Sequence, residues 1–480
     1  MEHLMQHTVE KIGGTSMSDF AAVRDNIIYS QPEQLYQRIF VVSAYGGITN
    51  RLLEHKKTDQ PGVYALFTDA DDEEAWREAL HKLREHMHEL NSTLFSDKEL
   101  LAKANGFIDQ RLYDAEHVLN NLQTLCSHGH FELEDHLLTV REMLASIGEA
   151  HSAWNTTHLL QREGVNARFV DLSGWNAEQA EPLDTVIEKT FADIDLNREL
   201  PVVTGYAHCS EGLMATFDRG YSEMTFSRIV VITNAHEAII HKEYHLSSAD
   251  PVIVGEDNIV PIGRTNYDVA DQLANLGMEA IHPRAAKGLR KNDIPLRIKN
   301  TFEPEHSGTQ ITRDYVSSKP CVEIIAGRKH LHAIELFDQD MVGVSDEYEK
   351  KLLDTFRRFH AQVVTKDLNA NTITHYLSCN LKTVKRIIRA LKEHYPGAEI
   401  EHRKVAIVSA IGSDMQVPGL LARAVRSLAD ANISVLALHQ SMRQVDIQFI
   451  VDEDMYKQAV KALHYGLVEP HDYGEAICAV

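Results

Sequence analysis

The 480-residue chain carries 48 Lys and Arg against 70 Asp and Glu, a net charge of −22, with 44% hydrophobic and 25% charged residues. The length fits two or three domains, the composition is that of a soluble globular protein, and the acidity argues against nucleic acid as the main partner. No run approaches the roughly 18–20 apolar residues that a membrane span needs, so no membrane partner is expected.

The N-terminal MEHLMQHTVEKIGG lacks an apolar signal-peptide core, which points to the cytoplasm. Five cysteines, odd in number and without CxxC spacing, are expected as reduced thiols rather than zinc ligands. The 27 histidines are dispersed without HExxH and read mostly as solvated side chains, so no protein-held metal is expected.

TVEKIGGT (8–15) reads as a strand ending in a Gly-Gly turn, with Lys11 ahead of it and Thr15, Ser16 and Ser18 as possible caps of a following helix. RIFVVSAYGGITN (38–50) repeats the device, with Ser43 before the turn and Thr49 opening a helix. Two strand–glycine–helix units imply an α/β sheet in which backbone N–H groups at helix starts receive phosphate-sized anions. Neither unit is GxxxxGK[ST] or GxGxxG. Residues 71–161 are largely helical by spacing, and SIGEAHSAW sets Glu149 beside Gly148 on a helix near 136–161.

The central stretch PVVTGYAHCSEGLMATFDRGYSEM (201–224) runs a strand into a loop carrying Asp218, Arg219, Gly220, Ser222 and Glu223. A guanidinium, a hydroxyl and a carboxylate close together suit a small anionic substrate, although Asp-Arg-Gly is equally ordinary turn chemistry. Residues 266–287 read as an amphipathic helix ended at Gly277, then a short strand and the turn Ile281-His282-Pro283. The strand IPLRIKN (294–300) leads out of the first domain. The last third is an internal repeat offset by about 72 residues, each copy approaching βαββαβ, with AIELF, AEIEH and KVAIVS as separate strands and a helix starting at Pro418.

In order along nearly the whole chain, EKIGGTS (10–16), VVSAYGGITN (41–50), SIGEAHSA (146–153), TFDRGYSEM (216–224), ADP (249–251), GMEAIHPRA (277–285) and IGSDMQVPGLLARAVRSLADANISV (411–435) resemble the aspartate kinases of the amino-acid kinase superfamily, and GYSE, HKEYHLSSADP and GMEAIHPRAAK resemble the subgroup associated with ectoine synthesis. The resemblance implies a three-layer α/β/α catalytic domain over 1–315 with a helical insert at about 55–140. Two ferredoxin-like ACT modules would follow at 321–402 and 403–480, with strand 321–328 joining the second. It implies ATP-dependent phosphorylation of the L-aspartate β-carboxylate, with Mg²⁺ arriving on ATP, and a homodimer formed through the ACT modules.

By the same resemblance Lys11 would stabilise the transferring phosphoryl group and Glu223 would organise Lys11. Thr15, Glu149, Arg219 and Ser222 would hold aspartate, Arg219 its α-carboxylate and Glu149 its ammonium. Gly13, Gly14, Ser43, Gly220 and Asp250 would serve the nucleotide phosphates, and Lys242 joins them on charge count alone. An amino-acid effector would meet Asp338, Asp340 and Asp414 in the strand–helix loops 337–343 and 411–419, although both could be plain loops. The chain departs from the family at Asp218, Tyr221 and Glu223, and Val252 and Glu279 stand where cations are usual near the nucleotide. Lys242 or Lys287 would then compensate. The alternatives are a decayed kinase acting as an ACT-based sensor, or a sibling kinase for another acceptor.

Overall fold

The computed structural model describes residues 6–55, 58, 60–69, 74–175, 179–217, 220–278 and 280–469. They divide into two compact units, one of residues 1–246 with 281–313, the other of 247–280 with 314–480.

In the first unit β1 (Thr8–Ile12), β2 (Arg38–Val42), β3 (Ala167–Val170), β4 (Leu200–Thr204) and β5 (Glu237–Lys242) are parallel. β6 (Arg264–Asn266) belongs to the second unit, and β7 (Leu296–Asn300) and β8 (Thr309–Thr312) return to the first. The order is β3-β4-β2-β1-β5-β7-β8, with only β8 antiparallel to its neighbour β7. β2 and β4 are buried at every position, as strands covered on both faces must be, and so read as continuous apolar runs. The helix Leu137–Arg162 packs on β3 and β4, and Tyr221–Ile232 packs on β1. In an open parallel sheet the C-terminal strand ends form the ligand crevice. Here β4, β2, β1 and β5 lie side by side and end at Thr204, Val42, Ile12 and Lys242.

Several local expectations are corrected. Gly13, not Thr15 or Ser16, stands at the N-cap after β1, while Asp19 caps the next turn by accepting from the Ala22 N–H; after β2 a helix opens at Ile48 and Thr49 behind Gly47. Among the described residues no strand lies between Gly277 and His282. Instead His282 caps the helix Pro283–Lys291, whose first position takes Pro283 at no cost in hydrogen bonding. Several histidines are buried rather than solvated: His7, His151, His241, His306, His332, His375 and His464.

The second unit holds a six-stranded sheet of order β10-β11-β9-β12-β14-β13, formed by β9 (Ile324–Phe337), β10 (Gln362–Leu368), β11 (Thr372–Ser378), β12 (Glu399–Ile411), β13 (Ala437–Gln440) and β14 (Asp446–Asp452). AIELF is only the end of β9, and AEIEH and KVAIVS are one strand, β12. The two long strands pair along their whole length and fuse the repeats into one sheet. His330 at φ 62 and a register shift between Val405 and Ile407 mark the junction. The helix expected from Pro418 begins at Leu420, because Gly419 takes a left-handed φ of 82 in front of it. No described helix is long and apolar enough to cross a membrane.

Candidate active site

Lys11 lies one residue before the end of β1 and is 7% exposed. Its Nζ stands 3.8 Å from Glu223 Oε1, in the first turn of the helix Tyr221–Ile232. The other oxygen, Glu223 Oε2, accepts the His282 N–H at 2.5 Å. Glu223 therefore bridges a strand lysine and the start of the helix Pro283–Lys291, a span in which the extra methylene over Asp is used. Burial lowers the Lys11 pKa, Glu223 and Glu149 oppose this with their charges, and Lys242, at the end of β5, adds to the lowering. Lys11, Lys242, Glu149 and Glu223 thus form one charge cluster at the C-terminal ends of β1 and β5.

Glu149 is 2% exposed on the helix Leu137–Arg162, whose middle is buried on all sides. Gly148 permits that burial: a Cβ there would lie 2.8 Å from the Ala44 Cβ, in the loop after β2, and 3.0 Å from Ile48 Cγ2, at the start of the next helix. Burial pushes the Glu149 pKa up to about 8, against the pull of the Lys11 charge and of hydrogen bonds from the Tyr221 side chain and the Tyr206 backbone. Its Oε2 has no hydrogen-bond partner among the described residues. A buried carboxylate oxygen left open beside an ammonium is arranged to receive a further donor.

The glycine loops are tied together. Gly13 N–H donates to the His241 carbonyl at 3.1 Å, and a Cβ on Gly14 would lie 2.7 Å from the Ala44 carbonyl oxygen. Ser18, read from sequence as a cap, instead donates to the Gly14 carbonyl and accepts the Gly46 N–H at 2.8 Å, joining the two turns. Ser43 holds its carbonyl to Ser152 Oγ at 2.8 Å and its N–H to the Ile12 carbonyl at 3.1 Å. Thr15 is exposed in the first helical turn after β1, Ser222 is buried, and Gly220 precedes the helix that carries both Ser222 and Glu223. Arg219 and Asp218 lie outside the described residues, as does Glu279.

Other contributors carry no motif signal. Tyr206 stacks edge-on against Tyr221 at 5.7 Å and donates to Glu142 Oε2; Glu142 Oε1 accepts the Met214 N–H at 2.8 Å. Glu142 thereby fixes the strand-to-helix loop after β4 from the neighbouring helix. Gly205 sits where three walls meet, and a Cβ there would lie 2.8 Å from the Val42 carbonyl, 2.9 Å from Glu149 Oε2 and 2.9 Å from Ser222 Cβ. Gly205→Ala is expected to cut kcat/KM for the acidic substrate at least tenfold, and to lower stability by about 1–3 kcal/mol through overpacking. Steady-state kinetics beside thermal unfolding would check both; an unchanged kcat/KM would contradict this geometry.

Asp250, Asp338, Asp340 and Asp414 belong to the second unit. Asp250 caps a helix turn by accepting the Val252 N–H at 2.9 Å. Asp338 accepts the Asp340 N–H and the Tyr348 hydroxyl, each at 3.0 Å, and Asp414 accepts the Gln416 N–H at 2.9 Å. Among the described residues no group of three or more His, Cys, Asp or Glu is placed to hold a metal. The cysteines at 126, 209, 321 and 379 are free thiols, and Cys478 lies outside the described residues.

Residues 6–300 match the amino acid kinase family, and residues 408–467 match the ACT domain. The chain is 57% identical, over 98% of its own length and 100% of the relative's, to the aspartate kinase Ask_Ect of Stutzerimonas stutzeri. This chain belongs to the aspartate kinases. It is also 24% identical to chloroplastic aspartokinase 2 of Arabidopsis thaliana, over 96% of this chain and 84% of the relative. The fold matches that of E. coli aspartokinase III, solved with aspartate and ADP, at a TM-score of 0.72 and 19% identity, covering 97% of this chain and 100% of that one. The Clostridium acetobutylicum enzyme gives 0.69 at 19% identity, over 96% of this chain and 100% of that one.

Proposed function

We propose that this aspartate kinase transfers the γ-phosphoryl group of MgATP to the β-carboxylate of L-aspartate through the Lys11–Glu149–Glu223 cluster, giving 4-phospho-L-aspartate and ADP. The observation that carries the residue roles is a buried lysine at the end of β1, ion-paired with Glu223, whose charge also acts on Glu149, a buried carboxyl group with its Oε2 open. Phosphoryl transfer asks a protein mainly for alignment and charge stabilisation. Lys11, held by Glu223, supplies the positive charge for the transferring oxygens, and the helix starts after β1 and β2, together with the Ser43 hydroxyl, receive phosphate. Glu149 Oε2 takes the substrate ammonium, Ser222 and Thr15 line the aspartate side, and Arg219 forks onto the α-carboxylate. Lys242 replaces the nucleotide-side cations absent at Val252 and Glu279, since its charge already acts on Lys11; Lys287, exposed on the helix Pro283–Lys291, is not among the charges acting on Lys11. Mg²⁺ enters with ATP, bound through phosphates and water.

The product is placed at the head of the aspartate pathway, on the branch to ectoine, in agreement with the relative's name. A homodimer through the C-terminal modules, an amino-acid effector at loops 337–343 and 411–419, and a cytoplasmic location complete this reading.

ATP-dependent aspartyl hydroxamate formation, with glutamate in place of aspartate as control, tests it. Aspartate-specific turnover is expected. Arg219→Ala should raise the aspartate KM at least tenfold, and Lys242→Ala should raise the ATP KM. Turnover with glutamate equal to that with aspartate would overturn the substrate assignment, and unchanged ATP KM would remove Lys242 from the nucleotide site.

A further inference from the structure

At the other edge of the sheet, where β1, β2 and β5 begin at Thr8, Arg38 and Glu237, lies a cavity of ≈ 300 Å³. Its charged lining is Glu10, Arg38, Glu237, His236, His241 and Lys299. Both carboxylates are matched. Glu10 takes Arg38 Nε at 2.6 Å and His241 Nε2 at 2.7 Å, and Glu237 takes Arg297 Nη2 at 2.7 Å. Arg38 Nη2 donates to the Ile27 carbonyl at 2.9 Å and to Glu10 Oε2 at 3.0 Å, and Nη1 donates to the Ile28 carbonyl at 2.9 Å. That leaves the half-buried Lys299 ammonium, which has no hydrogen-bond or ion-pair partner among the described residues. Burial holds its pKa below the usual lysine range; the charges of Glu10 and Glu237 oppose this, and those of Arg297 and Arg38 add to it. An unmatched cation withdrawn from water costs free energy that a bound counter-charge would offset. Neutral donors stand in the same lining: Gln31, Gln34 and Tyr36, whose hydroxyl accepts the Asn166 N–H at 3.2 Å and keeps its own proton to give.

We propose that this cavity binds a small oxyanion, either a carboxylate or an inorganic tetrahedral ion, through Lys299 Nζ, with the Gln31, Gln34 and Tyr36 donors completing its shell. The site is separate from the catalytic cluster but shares its framework. His241, in the cavity wall, gives its carbonyl to the Gly13 N–H of the glycine loop, and Glu10 directly precedes Lys11.

The test is calorimetric titration of the full chain with sodium succinate and, in a separate arm, sodium sulfate, at constant ionic strength. ADP and aspartate are kept saturating so that the substrate site is filled. Binding by the wild type is expected in at least one arm, and the arm that binds identifies the anion's class. Lys299→Met should weaken it at least tenfold while keeping kcat and the unliganded melting temperature, with Lys299→Gln as the alternative should the methionine variant fold poorly. Absence of wild-type binding in both arms, or equal affinity in wild type and variants, would overturn the proposal.

Discussion

Replacing Lys11 with methionine is expected to lower kcat for aspartyl phosphate formation by about 10²–10³-fold, the loss typical of removing one preorganised stabiliser of developing charge. The ammonium is almost fully withdrawn from water and oriented by Glu223, which is itself anchored through Oε2 on the His282 N–H. It therefore meets the phosphoryl oxygens without reorganisation, in surroundings where water screens it little. Methionine keeps the length and apolar stem of the side chain, so the fold should persist. Thermal unfolding beside kcat separates the two effects: a melting temperature near wild type with a drop in kcat below tenfold would remove Lys11 from the chemistry.

The second large effect belongs to Glu149 and carries a pH signature. With its pKa pushed up to about 8, the carboxyl is mainly protonated at neutral pH in the absence of substrate. Pairing with an ammonium requires the charged form, so kcat/KM for aspartate should rise with pH and level off above about 8. The stability consequence has the opposite sense. A raised folded-state pKa favours the protonated folded protein fully below the ordinary glutamate value, and that contribution is lost as pH climbs through about 8. Glu149→Gln should abolish the Glu149 limb of the profile. It should also lower kcat/KM by the 2–5 kcal/mol typical of breaking a buried charge pair, roughly 30- to 5,000-fold. A glutamine variant with the wild-type pH profile would show that the rise comes from another group.

Features with a local signal are legible in the residues alone. Strand–Gly-Gly–helix punctuation at 8–15 and 38–50 placed Lys11 and the two anion-receiving turns, because only short side-chain-free turns let these loops approach each other. Ordered motifs along the chain sufficed for the family, and the shared motif order marked Glu149 and Glu223 before any geometry was known. Tertiary structure decided what depends on residues distant in the chain. Tyr221 looked like a loss where a glycine is usual, yet it packs on Tyr206 and hydrogen-bonds to Glu149. Glu142, Gly205 and Ser18 lie in no motif and acquire their roles only when the β4 loop, the helix Leu137–Arg162 and the first glycine turn meet. The same holds for the repeat, whose separate strands merge into β9 and β12 because each half of one pairs with a half of the other. Burial likewise could not be read from composition: the open oxygen of Glu149 and the unmatched charge of Lys299 arise from what surrounds them, and no run of neighbouring residues encodes that.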